Sequence, residues 1–401
     1  MIIENNMDTI NILQHYWWAI VSLLGALLVL LLFVQGGQTM LFGTAKTEDE
    51  KKLVIAIFGH KWELTFTTLV TFGGAAFASF PLFYSTSFGG AYWLWISILL
   101  LFVIQAVSYE YRNKAGNLLG SKTYDGFLFL NGMFGTILLG VAVGTLFTGG
   151  AYVMDKFNIT EPTSPTVSYW VNDYRGLEAI INPFNLLLGI TVYLAAKTLG
   201  LLYLSNFLDG KRDKISTTEV LAVDSLLKKA KFEVKYMAPI FVLMFVVFLV
   251  ALFTLTGYEV KDGFIEPVKF KYFFNMIQVV FPIIVLLLGV VLVLVGIVPM
   301  LFDNLAKDCN FINWIRKNSF YVTGLGVVLA VFSILVCAAF NNTAYFPSTV
   351  NIEDSLTLAN SSSSLFTLTV MSYVSIAVPF VLAYIIVVWR KMNRGEGNTA
   401  Y

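Results

Sequence analysis

The sequence predicts an all-α integral membrane protein of nine transmembrane helices, with its N-terminus outside and its C-terminus in the cytoplasm. Three observations carry this. The 401 residues are 57% hydrophobic and only 13% charged, where a soluble domain carries about a quarter charged residues. Nine stretches are apolar over the roughly 20 residues that a helix rising about 1.5 Å per residue needs to cross a hydrocarbon layer of about 30 Å. The Lys and Arg residues segregate to alternate loops.

The nine stretches run approximately over 16–36, 62–84, 91–109, 126–150, 178–205, 236–257, 273–298, 319–340 and 366–389. No period-2 alternation marks a β-barrel. The first run has no Lys or Arg before it and is too long for a signal-peptide core, so it reads as a span. The odd loops and the C-terminal tail hold 20 of the 26 Lys/Arg, and the outer segments hold 5. By the positive-inside rule the basic loops are cytoplasmic. The pattern suggests two four-helix units, over 10–150 and 178–340, within a single membrane domain, and a peripheral ninth helix at 366–389. Trp17, Trp18, Trp62, Trp93, Trp95, Trp314 and Trp389 all fall near predicted helix ends, where indoles favour the membrane interface.

The longest inner loop, 206–235, carries seven Lys/Arg. Ser216 and Glu219 have capping-box spacing, which predicts a helix starting there and running on into the sixth span. Its basic residues are expected to contact anionic membrane lipid. The outer loops 151–177 and 341–365 are long enough for short caps over the outer face, and no soluble domain fits.

Several functions are excluded by what is missing. A net charge of +1 gives no basis for a nucleic-acid partner. No P-loop, dinucleotide fingerprint, serine-hydrolase elbow or metalloprotease motif occurs. Cys309 and Cys337 make neither a disulfide framework nor a metal spacing. The two histidines, His15 and His60, lie at opposite ends of the membrane and cannot ligate one haem as a pair. With 11 Met, a single-His or Met-ligated haem stays open on residues alone. A chain this poor in histidine nevertheless points to no redox centre of its own.

The polar residues near the spans supply the candidates. Glu63 opens the second span after Lys61 and Trp62, and Thr67 and Thr71 follow on the same helix face. They form a stripe about 12 Å deep from the cytoplasmic side. A carboxylate followed by hydroxyls can pass protons through water; the bland alternative is a Glu favoured at a helix N-terminus with threonines bonded back to carbonyls. Glu110 closes the third span on the same side, as a local ion pair with Arg112 or Lys114 or as a second proton entry. Lys197 sits within the fifth span, where its stem is expected to snorkel to the interface, the alternative being an acid on another helix. Gln35-Gly36-Gly37-Gln38 follows the first span, its glycines ending the helix and permitting tight packing. Asn182 and Pro183 open the fifth span, Pro at the first turn and Asn as its cap.

Taken in order, these segments resemble subunit II of cytochrome bd-type quinol oxidases over essentially the whole chain. Tyr16-Trp17-Trp18 begins the first span. Lys61-Trp62-Glu63 resembles the family's His-Trp-Asp, and Gly73-Gly74-Ala75-Ala76-Phe77-Ala78 with Phe80-Pro81 resembles its glycine-alanine segment. Tyr109-Glu110-Tyr111-Arg112 resembles Phe-Asp-Tyr-Arg, and Ile181-Asn182-Pro183-Phe184 resembles Leu-Asn-Pro-Phe. Phe346-Pro347-Ser348, Ser355-Leu356-Thr357 and Ser363-Ser364 through Val370-Met371 resemble the last outer loop and ninth helix.

The resemblance implies a non-haem-ligating subunit that supports a haem-bearing subunit I, holding haem b and haem d, in a bacterial inner-membrane enzyme that oxidises membrane quinol and reduces oxygen to water. It implies that Glu63 stands at a proton-channel acid. It also allows a structurally bound quinone and small accessory subunits. Gln35 and Gln38 depart from the family's Asp-Gly-Phe-Asp, so any role of those acids is not carried over. A secondary transporter is the alternative reading, weakened by the lack of paired broken helices and of a midplane acid.

Overall fold

The computed structural model describes residues 2–114, 116–155, 167–211, 217–302 and 309–394. The chain enters through α1 (Ile2–Leu31) and continues almost without a break into α2 (Phe33–Gln38). Helix α3 (Glu48–Gly59) starts on a Thr47/Glu50 capping box, each side chain bonding the other residue's backbone. The chain turns at His60 and Lys61 into α4 (Trp62–Ser79), and Pro81 then opens the short α5 (Pro81–Tyr84). Next come α6 (Tyr92–Tyr111), α7 (Ser121–Leu130), a π-turn over Asn131–Gly135 and α8 (Thr136–Thr148).

The second half holds α9 (Pro183–Lys211), α10 (Thr217–Thr254), α11 (Lys271–Gln278), α12 (Val280–Leu301), α13 (Asn310–Lys317) and α14 (Ser319–Ala339). After α15 (Leu358–Ser361), the last crossing is built from α16 (Leu365–Ser375) and α17 (Val378–Arg394). Among the described residues, nine helices are long and apolar enough to cross a membrane, as the sequence predicts. The basic segment does run on into the sixth span as one helix, α10. Ser216 and the basic residues Arg212 and Lys214 lie outside the described residues.

Helices from the two halves of the chain interleave. α1 packs on α14 and α4, and α9 packs on α2, α8 and α10. Close approach depends on residues without side chains. A Cβ on Gly36 would lie 1.9 Å from the carbonyl oxygen of Ala196, and one on Gly200 would lie 2.8 Å from the Gly37 nitrogen. This is the small-residue contact that membrane helices use in place of a hydrophobic drive. The helix therefore does not end at Gly36-Gly37; it runs through both, and tight packing is what the glycines provide.

Two hairpins lie in the loops assigned to the outer face. β1 (Tyr152–Met154) pairs with β2 (Ser168–Trp170), and β3 (Gly257–Lys261) pairs with β4 (Phe264–Val268), both antiparallel. The 341–365 segment ties them down. The Tyr152 hydroxyl donates to the Phe346 carbonyl at 2.5 Å, and the Tyr345 ring packs 4.3 Å from Trp18. Burial pushes the Tyr152 and Tyr345 phenols well above their ordinary pKa, so both stay neutral donors. Trp93 and Trp314 are exposed, as an interfacial belt requires, whereas Trp17 and Trp18 are buried. The indole of Trp18 donates 2.8 Å to the Leu335 carbonyl, so these two hold α1 in the bundle rather than at the lipid boundary.

Candidate functional site

Lys61, Trp62, Glu63 and Glu110 lie where the start of α4 meets the end of α6, next to Gln35 and Gln38 of α2, and Thr67 and Thr71 follow along α4. The turn before α4 sends neighbouring side chains in opposite directions. Lys61 is buried, its ammonium 5.3 Å from the Tyr203 ring and 5.5 Å from the Trp389 ring, and those π-faces favour the cation. Glu63, two residues on, faces outward. Thr67, Val70, Thr71, Gly74 and Phe77 continue the same exposed face of α4. The Thr67 hydroxyl donates to the Glu63 carbonyl and the Thr71 hydroxyl to the Thr67 carbonyl, each at 2.7 Å. Their protons are held by the backbone, and their oxygens remain open as acceptors.

Trp62 stacks on Tyr109, with ring centroids 6.2 Å apart and planes 13° apart. The stack sets Glu63 of α4 and Glu110 of α6 at one level of the bundle. Glu110 is half exposed and pairs with Lys114 one turn on, not with Arg112. The hydrogen bond to Glu110 raises the Lys114 pKa.

Gln35 and Gln38 are buried and point at α6. Gln35 Nε2 donates to Gln105 Oε1 at 2.9 Å, and Gln38 Nε2 donates to the Tyr109 hydroxyl at 3.2 Å. Asn182 and Pro183 act at another place. The Asn182 side-chain oxygen accepts from the backbone nitrogens of Phe184 (2.9 Å) and Asn185 (3.4 Å), which caps α9 at Pro183 as expected. Their role is to start a helix, far in sequence and in contacts from the Glu63 face.

Ion pairs with at least one buried member tie distant segments together, and for Lys197 the outcome is the alternative that the sequence left open, an acid on another helix. Lys197 does not snorkel. Its ammonium lies 3.0 Å from Glu233 Oε1, and Thr44 donates to the other carboxylate oxygen. A partner inside the bundle removes the need to reach the interface. Arg112 makes a two-point contact with Asp125, at 2.6 and 3.3 Å, and Lys51 adds a third cationic contact at 3.4 Å. Glu50 takes Lys229 at 2.6 and 2.8 Å and Ser225 at 2.8 Å, tying α3 to α10. The sequence signal for the first was available: a lysine within a span demands an acid at its depth, and Glu233 precedes the apolar part of the next span.

The cavity enclosed by the helix bundle offers no haem ligand. The cavity between α1, α4, α8, α9, α10, α12 and α14 measures about 90 Å³, and its lining holds no His, Cys or Met. Among the described residues, no three His, Cys, Asp or Glu side chains cluster to hold a metal ion.

A helical membrane protein with nine candidate spans among the described residues is the class that this geometry defines. Comparison with known proteins makes it specific. The family model for cytochrome bd terminal oxidase subunit II matches residues 13–392, and the chain belongs to that family. It is 26% identical over 394 residues to cytochrome bd-I ubiquinol oxidase subunit 2 of Escherichia coli K12, covering 93% of this chain and 92% of the relative. It is also 26% identical over 341 residues to cytochrome bd ubiquinol oxidase subunit 2 of Bacillus subtilis, covering 84% and 82%. A match to the probable cytochrome oxidase subunit 2 of Haemophilus influenzae, 29% identical, spans 44% of each chain. The bd oxidase structure from Geobacillus thermodenitrificans superposes with a TM-score of 0.63 over 96% of this chain and 99% of that one; at 12% identity this speaks for the fold. The chain is thus a subunit of a quinol:oxygen oxidoreductase of the bacterial inner membrane. Membership decides against the transporter reading.

Proposed function

We propose that this chain is the subunit that ligates no haem, supports a haem-bearing subunit I carrying haem b and haem d, and supplies cytoplasmic protons for the reduction of oxygen to water. One observation carries the proton part. Glu63, Thr67 and Thr71 lie on an exposed face that runs into a membrane span. A carboxylate facing lipid is costly, so that face requires a covering subunit, and a covered carboxylate with acceptor oxygens above it is a place where water is held. Glu63 is the entry acid, Glu110 the second carboxylate at the same level, and Lys61 and Trp62 hold the turn that aims Glu63 outward.

The N-terminus lies outside in this reading, which puts the α4 entrance in the cytoplasm, where protons for oxygen reduction are drawn. The two four-helix units, the basic α10 segment on anionic lipid, a structurally bound quinone and small accessory subunits complete the proposal. The last two rest on the resemblance. The test is oxygen consumption driven by quinol in the intact oxidase carrying Glu63→Gln. Lowered turnover with haem retained is expected, and full turnover overturns the assignment.

A further inference from the structure

The contact between α2, α6 and the π-turn holds an unusual set of polar atoms. Gln35, Gln38, Gln105 and Asn131 are all essentially excluded from solvent. After the two hydrogen bonds described above, five of their atoms remain without a partner: Gln35 Oε1, Gln38 Oε1, Gln105 Nε2 and both Asn131 side-chain atoms. The indole nitrogen of Trp62, on the ring stacked against Tyr109, is a sixth.

The backbone makes room for them. A Cβ on Gly132 would lie 2.5 Å from the Gln35 carbonyl, so the π-turn meets α2 without a side chain between them. A Cβ on Gly135 would lie 3.1 Å from Asn131 Nδ2. Widened turns of this kind are frequent at functional sites. A buried polar atom left without a partner bears its full desolvation cost, and six at one helix contact do not belong to a dry interface. In this arrangement three are acceptors and three are donors. None of the side chains carries charge, so nothing here offsets the cost of a buried ion.

We propose that Gln35, Gln38, Gln105 and Asn131 enclose a site for ordered water inside the membrane span, extending to the Trp62–Tyr109 stack. Buried water makes about three hydrogen bonds, so six spare groups suit about two molecules. Such water donates and accepts equally, which fits a balanced neutral lining and not a cation.

The experiment uses the intact oxidase in mild detergent. Asn131→Leu removes two unpartnered atoms at nearly constant shape and breaks no side-chain bond within the chain. With water in place it strips bonds that the site uses, and Tm falls by at least about 2 °C. In a dry contact it relieves unpartnered groups, and Tm stays level or rises, which overturns the proposal. Should the variant not assemble, a density map of the wild-type complex decides. Discrete density within hydrogen-bond distance of Asn131 and Gln105 supports the site; amides closed on one another without it overturn it. Sodium, potassium or magnesium added to chelator-treated wild type leaves Tm unchanged; a rise that Asn131→Leu abolishes would make this a cation site instead.

Discussion

Lys197 of α9 and Glu233 of α10 meet at 3.0 Å inside the bundle, with side chains 4% and 10% exposed. The pair springs from the glycine crossing of α2 and α9, where the Lys197 backbone nitrogen lies 2.6 Å from a Cβ built on Gly36. Charge, hydrogen bond and close backbone approach therefore coincide at one place. Removing one member of a buried pair strands the other and costs about 3–5 kcal/mol. Lys197→Met is expected to lower the Tm of the intact oxidase markedly. The double variant Lys197→Met with Glu233→Leu should recover most of that loss, because replacing both charges by apolar groups is close to neutral. A single variant as stable as wild type would show that the pair is not formed.

The glycines of the first half differ sharply in what surrounds them. Gly36 has the Ala196 carbonyl 1.9 Å from where a Cβ would sit, while Gly74 has open space. Gly36→Ala forces α2 away from α9, and overpacking of this kind costs about 1–3 kcal/mol or more. Gly74→Ala meets nothing within this chain. Differential thermal unfolding of the two variants, as isolated subunit II, should separate them clearly. In the intact oxidase, a loss with Gly74→Ala as well would show that a neighbouring subunit approaches that face closely.

Much of this was legible in the sequence. Hydropathy and charge segregation are sums over many residues, so the nine spans and the continuation of the basic loop into the sixth were readable without contacts. The Asn182-Pro183 start was readable because capping is local. What escaped were pairings between distant segments. Lys197 was conspicuous as a charge in a span, yet its partner sits on another helix, and snorkelling is a sound expectation for a lysine without one. Asp125 lies just ahead of the fourth span, so nothing local marked it as buried. The hairpins in loops 151–177 and 257–268 gave no clear period-2 signal because each strand is only three to five residues long.

Arg112 and Asp125 make the second buried pair, and Glu110 with Lys114 makes an exposed one a few residues away. Their contrast is testable. Asp125→Asn leaves the Arg112 guanidinium with a weaker acceptor and should lower Tm, with little change between low and high salt because buried pairs are weakly screened. Arg112→Lys keeps charge but loses the two-point contact, and is expected to behave alike. Lys114→Ala should leave Tm unchanged. Its partner raises its pKa, so the pair's contribution is in full effect below the ordinary lysine range and is lost only as pH climbs through the raised value. It is constant across neutral pH, and in an exposed pair it is small. A salt-sensitive Asp125 effect would move that carboxylate to the surface.

Glu63 and Glu110 flank one aromatic stack but differ in what holds them, and that difference orders their roles. Glu110 has Lys114 as a partner on its own helix. Glu63 shares its outward face with the acceptor oxygens of Thr67 and Thr71, one and two turns deeper. Glu63→Gln preserves shape and removes the titratable proton. A fall in quinol-driven oxygen consumption of about tenfold, equivalent to about 1.4 kcal/mol in the limiting barrier, is expected with the haem spectrum unchanged. Glu63→Asp keeps the acid on a stem shorter by one methylene and should restore most of the rate. Glu110→Gln should cost less, since it removes one of two carboxylates at the level where protons enter and leaves the acid that begins the stripe. Thr67→Val and Thr71→Val remove acceptors without disturbing a donor the path requires, so each should slow turnover modestly and both together more. If Glu110→Gln proves the more damaging, entry runs along α6, and the exposed face of α4 serves only to meet the neighbouring subunit.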